Sequence, residues 1–212
     1  MNNLFSSKVL YFNSLHLLRK IIRYEQFISG AGVYFFIGTP VLSPPSLRGN
    51  MVLELSESFL VDNKEKFVYG SPVDIGGLEF GLLGEAQDID IIKRKSMCCY
   101  DDFFSFFVEV RAALVEEFPR IMRHQQSECS LGVVNKYFGN EVASFLRRYA
   151  DPHAWAFEYK LQSDFILHAD HVERLFFPNT YREISEIKML LPILKEKMIE
   201  FNPKYGFDHV YF

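Results

Sequence analysis

Behind Asp101-Asp102, the residues Phe103, Phe107, Val110, Leu114 and Met122 recur at steps of three, four and eight. That spacing puts them on one face of a helix, and acidic residues suit its first turn. Pro119 marks a kink or stop near its end. A helix with such an apolar stripe must bury it against another layer. The rest of the chain has to supply that layer.

Strand-like runs are present on both sides of it. Residues 8–12 (KVLYF) read as a first strand, and Val33–Ile37 (VYFFI) as a strand buried on both faces. Between them, Asn13 or Ser14 caps a helix carrying Leu15, Leu18, Ile21 and Ile22, closed by Gly30 and Gly32. Residues 43–50 are loop by composition. Strands are expected over 51–55 and 66–69 about an Asp62-Asn63 turn, and another within 89–100. Further on, the pattern predicts a helix over 136–149 and strands over 154–162, 165–168 and 172–177. A long helix is expected over 181–201, kinked at Pro192, then a last strand at 209–212. With no repeat, low-complexity tract or linker, the reading is one α+β domain over 1–212.

The 212 residues include 22 Phe and are 49% hydrophobic, enough for a sizeable core without disulfide or metal. The net charge of -4 leaves no broad basic footprint for wrapping nucleic acid, only room for a small basic patch. Cys98 and Cys99 are adjacent and Cys129 is alone, which argues against a disulfide framework and for a reducing, cytoplasmic compartment. No signal peptide is read at the N-terminus, and no apolar run has the length of a membrane span.

Residues 123–134 (RHQQSECSLGVV) follow the long helix. Their alternation reads as a strand with Cys129, Leu131 and Val133 on one side and Glu128 and Ser130 on the other. A strand that buries one face holds a carboxylate rigidly on the other. Such a carboxylate stabilises a developing cation or bonds a ribose hydroxyl. Residue chemistry alone weighs more toward a solvated glutamate paired near Arg123.

Three segments bear on that choice: Tyr11-Phe12-Asn13-Ser14-Leu15-His16-Leu17-Leu18, Tyr34-Phe35-Phe36-Ile37-Gly38-Thr39-Pro40-Val41-Leu42, and His124-Gln125-Gln126-Ser127-Glu128-Cys129-Ser130-Leu131. Their order resembles the DarT-type ADP-ribosyltransferases, toxins that modify bases in nucleic acid with NAD. The chain departs from that family at Asn13, where a histidine is usual, and at Gly38, where an arginine is usual. The resemblance implies an ADP-ribosyltransferase-like fold, with mixed and antiparallel sheets around a cleft and flanking helices. It implies NAD as co-substrate beside Asn13, Tyr34, Phe35, Thr39 and Arg48, with Glu128 as the catalytic carboxylate. Arg123, His124 and Gln125 would then contact the acceptor. That acceptor is a base in single-stranded DNA or RNA, because a base must be unstacked to react. A cognate antitoxin protein is the implied partner.

Two other classes stand beside this one: a non-catalytic immunity or interaction protein of a bacterial conflict system, and a protein-modifying ADP-ribosyltransferase. His168-Ala169-Asp170-His171 has metal-like residue types but no further ligand at a recognisable spacing, so no metal site is read there. Trp155, Phe157 and Tyr159 read as one packed strand face, Cys98 and Cys99 as small core residues, and Arg147-Arg148 as a solvated helix face.

Overall fold

The computed structural model describes residues 9–10, 33–37, 51–72, 86–121, 128–148 and 157–202. Over these it is a mixed α+β protein whose strands form two small sheets. In chain order the elements are β1 (Val9–Leu10), β2 (Val33–Ile37), β3 (Val52–Leu55), α1 (Glu57–Asp62), β4 (Phe67–Ser71), α2 (Ala86–Lys95), α3 (Tyr100–Ile121), α4 (Glu128–Phe138), α5 (Asn140–Arg148), β5 (Phe157–Leu161), β6 (Val172–Pro178), α6 (Ser185–Leu194) and β7 (Met198–Phe201). The chain divides into two compact units that interleave in sequence. One holds Met1–Lys8, Tyr34–Thr39 and Phe67–Leu161; the other holds Val9–Val33, Pro40–Lys66 and Gln162–Phe212.

In the first unit β2, β5 and β4 lie side by side in that order. β4 and β5 are antiparallel, with Gly70 opposite Tyr159 and Ser71 opposite Glu158. Phe157, Tyr159 and Leu161 alternate along β5 and are buried, as a strand with one face on a core requires. The other side of that core is α3, whose Phe103, Phe106, Phe107 and Val110 are fully buried. The rings interlock. Phe103 lies 5.0 Å from Phe67 and 5.6 Å from Tyr159, and Phe35 of β2 stacks on Tyr159 at 5.2 Å. Phe106 meets Phe157 and, from α4, Phe138 edge-on. Such pairs add to the area they bury. The Tyr159 hydroxyl is buried without a hydrogen-bond partner, and burial pushes its pKa well up.

In the second unit β6 pairs antiparallel with β3 and parallel with β7. Polar side chains brace this unit. Asn63, fully buried, donates its amide to the carbonyls of Phe59 and Ile166, both at 2.8 Å, and accepts from the Ile166 N–H at 2.5 Å. One amide thus ties the end of α1 to an extended segment 103 residues on.

Several expectations change. Residues 89–100 hold the end of α2, not a strand: Ile92 is buried while charged residues occupy the exposed faces. Residues 128–133 open α4, because Leu131, Val134 and Phe138, spaced by three and four, are the buried set. The helix expected over 136–149 breaks at Gly139, whose φ of 89° is the left-handed conformation that ends helices. Residues 165–168 form no strand; the Asn63 amide bonds the N–H and carbonyl of Ile166, while the N–H groups of Phe165 and His168 donate to Gln162 and His171. The helix over 181–201 shrinks to α6. Pro192 lacks the N–H for the last turn, Lys195 turns at a φ of 45°, and the residues beyond pair with β6 as β7. The α3 helix runs through Pro119 to Ile121. The helix expected after Asn13 and the strand at 209–212 lie outside the described residues.

Gly70 is a packing constraint. An ideal Cβ there would sit 2.0 Å from Cδ2 of Phe103, inside the buried ring itself. Gly70→Ala is therefore expected to cost about 3 kcal/mol through overpacking, read as a lower urea midpoint with native-like far-UV dichroism.

Candidate functional site

Of the residues singled out by sequence, Glu128, Tyr34 and Phe35 lie among the described residues. Glu128 is the first residue of α4, not a strand residue. Tyr34 lies in β2. Phe35 is fully buried, its ring stacked on Tyr159, so it belongs to the core. Asn13, Thr39, Arg48, Arg123, His124 and Gln125 lie outside the described residues, as does Trp155. Cys98 and Cys99, expected in the core, are both exposed.

His171 has the look of a catalytic histidine and the bonding of a strut. It is buried, and its Nδ1 accepts from the His168 N–H at 3.2 Å. That bond fixes the proton on Nε2, which donates to Asp62 at 3.0 Å. Both nitrogens are occupied, so the ring has no lone pair left for a substrate. Among the described residues no group of three or more His, Cys, Asp or Glu could hold a metal ion.

Glu158 is buried on β5 and accepts a hydrogen bond from the Tyr69 hydroxyl at 3.1 Å. Glu54 is likewise buried, with the Arg174 Nε at 3.4 Å across β3 and β6. Both are closed off from solvent, so they hold strands together.

Among the described residues, one open feature lies between α2 and α5. A cleft of about 510 Å³ separates them. Ile91, Ile92 and Phe145 give it an apolar lining; Asn140, Glu141 and Ser144 add polar groups; Arg147 and Arg148 complete it. Local sequence builds each wall. In α5 the buried set is Val142, Ala143, Phe145 and Leu146, which leaves Asn140, Glu141 and Ser144 less covered. α2 is closed by Ser96, whose hydroxyl donates to the Ile92 carbonyl at 3.1 Å. The next residue, Met97, exchanges two 2.8 Å backbone bonds with Gly70 and so anchors that end of α2 to β4. α2 ends in Lys93, Arg94 and Lys95, and α5 in Arg147 and Arg148. All five are exposed. Arg94 and Lys95 sit three and four residues after Ile91, which continues its face of the helix.

Sequence reading missed this cleft because it took α2 for a strand. The signal was two basic runs, 93–95 and 147–148, each ending an apolar-periodic stretch. Comparison of the chain with family models, curated proteins and solved structures returns no match. Among the described residues no helix is long and apolar enough to cross a membrane.

α3 and α4 are also clasped at the surface. Glu109 accepts from Lys136 at 2.6 and 2.8 Å and from the Tyr137 hydroxyl at 2.6 Å. The Lys136 bond, then the Tyr137 bond, holds the Glu109 carboxyl below the usual carboxylate range. A carboxyl whose pKa falls on folding adds stability above its unfolded value and loses it as pH falls through its folded value. Thermal melts should therefore find wild type above Glu109→Gln at neutral pH, with the gap closing on acidification. A gap that stays constant with pH would refute the clasp.

Proposed function

We propose that this protein works by binding, and that the α2–α5 cleft holds an anionic macromolecule. The charge pattern carries the reading. Arg147 and Arg148 line the cleft, and Lys93, Arg94 and Lys95 follow directly on Ile91 and Ile92 of its other wall, in a chain whose net charge is -4. An acidic surface repels anions at long range, so a local positive field is where such a partner is drawn in.

The second reading is NAD-dependent ADP-ribosyl transfer to a base of single-stranded DNA or RNA, by a toxin with a cognate antitoxin. Its support is the sequence resemblance, together with the formation of a strand over Val33–Ile37, where that resemblance requires one. In that reading Glu128 stabilises the cationic ribose as nicotinamide leaves. The helical setting of Glu128 and the packed ring of Phe35 favour binding over this reaction.

Two assays decide. On immobilised heparin, a general polyanion, wild type should be retained at low salt while the Arg147→Glu/Arg148→Glu variant flows through. Wild type in the flow-through would sink the binding reading. In parallel, labelled NAD is incubated with the protein and separate DNA, RNA and protein pools. Binding alone predicts no label in any pool. Label transferred by wild type and lost in Glu128→Ala establishes the transferase instead.

A further inference from the structure

We infer that Cys98 and Cys99 form a two-thiolate site for a Cu(I) ion, a function separate from the α2–α5 cleft. Free cysteine is among the most buried of residue types, and its reactivity rather than its packing decides its role. Here two stand side by side and both are exposed. Neither is drawn into a hydrogen bond or ion pair with another described residue. The backbone on either side of them is held. Met97 exchanges two bonds with Gly70, and the Cys99 carbonyl accepts the Phe103 N–H at 3.1 Å as α3 begins. The thiols thus ride on a short link anchored at both ends, so less ordering is lost when both engage one ligand.

What such a pair can hold follows from its spacing. Neighbouring Cα atoms lie about 3.8 Å apart across a trans peptide, and closer across a cis one. Disulfides want about 4.4 Å or more, so a bond between these two sulfurs is strained and readily reduced. An atom inserted between them relieves that strain: with metal–thiolate bonds of about 2.3 Å, the sulfurs stand up to about 4.6 Å apart. Thiolate donors select Cu(I), Zn(II) or iron–sulfur clusters. Zinc takes three or four protein ligands and the clusters four. Among the described residues no group of three or more His, Cys, Asp or Glu could hold an ion. Cu(I), a filled-shell soft ion, is the one that two sulfurs in line satisfy. Met97, half-buried and next in the chain, is a further soft donor on the same link. Binding displaces both thiol protons, and the ion with its two thiolates carries one net negative charge.

The test is anaerobic competition for Cu(I) between the protein and a chromogenic Cu(I) chelator, in a Cys129→Ser background that removes the remaining thiol. The pair should take one ion per chain. Cys98→Ser and Cys99→Ser should each weaken binding about a hundredfold or more, because the second sulfur binds at the high effective concentration its neighbour gives it. Both side chains are exposed, so the melts of these variants should match that of the background. Cu(I) should protect both thiols from alkylation, read by mass spectrometry, while Zn(II) should leave them open. A single-cysteine variant that binds Cu(I) as tightly as the pair, two ions per chain, or Zn(II) protecting the thiols as Cu(I) does overturns the inference. Neither variant should alter retention on heparin, so this inference and the binding reading fail independently.

Discussion

One contact organises the first unit: the ring of Phe103 against the bare backbone of Gly70. Because glycine has no Cβ, β4 lies directly on a buried aromatic face. The same glycine exchanges two hydrogen bonds with Met97, in the short link between α2 and α3. Phe103 also contacts Phe67 on β4 and Tyr159 on β5. A single ring therefore sets the height of the sheet over α3 and the point at which α2 ends. The cations of α2 lie within four residues of that bridge. The placement of one wall of the cleft is thus a consequence of core packing.

The second unit solves a different problem. Among the described residues its sheet has three strands and its helices are short, and buried polar groups brace it. Asn63 bonds both the N–H and the carbonyl of Ile166, as a neighbouring strand would. His171 spans from its own turn to Asp62. The Ser56 N–H donates to the His171 carbonyl at 2.8 Å, so the His171 turn is bonded to both ends of α1. Groups fully engaged in this way are poor candidates for chemistry, because catalysis needs a lone pair or proton that is not already committed. A buried His–Asp pair signals a site only when one nitrogen remains free, and here the backbone has taken it.

These polar struts explain where the sequence was legible and where it was not. Val33–Ile37, 51–55, 66–71 and 172–178 are short apolar runs with no helical alternative, and they form strands at or near the expected bounds. The stripe behind Asp101-Asp102 is long enough to overrule every rival pattern, and α3 follows it. Failures cluster where two periods fit the same residues. Cys129, Leu131 and Val133 alternate, but Leu131, Val134 and Phe138 also keep helical spacing; the second set is the one with a core to meet, on Phe106. Gly132 stands exposed within that helix, and its cost of about 1 kcal/mol against Ala is outweighed by the buried set. The Ile89-Asp90-Ile91-Ile92 run of α2 reads as strand by composition, yet only one of its faces is offered to the unit. The effect of Asn63 on a segment 103 residues away has no local signature at all.

The charge at the cleft follows from the same assembly. Basic residues at the C-terminus of a helix complement its dipole, and that alone accounts for each cluster separately. Arg147 and Arg148 line the cleft, and the Lys93 to Lys95 run follows on Ile91 and Ile92 of its other wall, from a segment some fifty residues away in sequence. In the binding reading, a polyanion docking there releases its own counterions, a gain that added salt weakens.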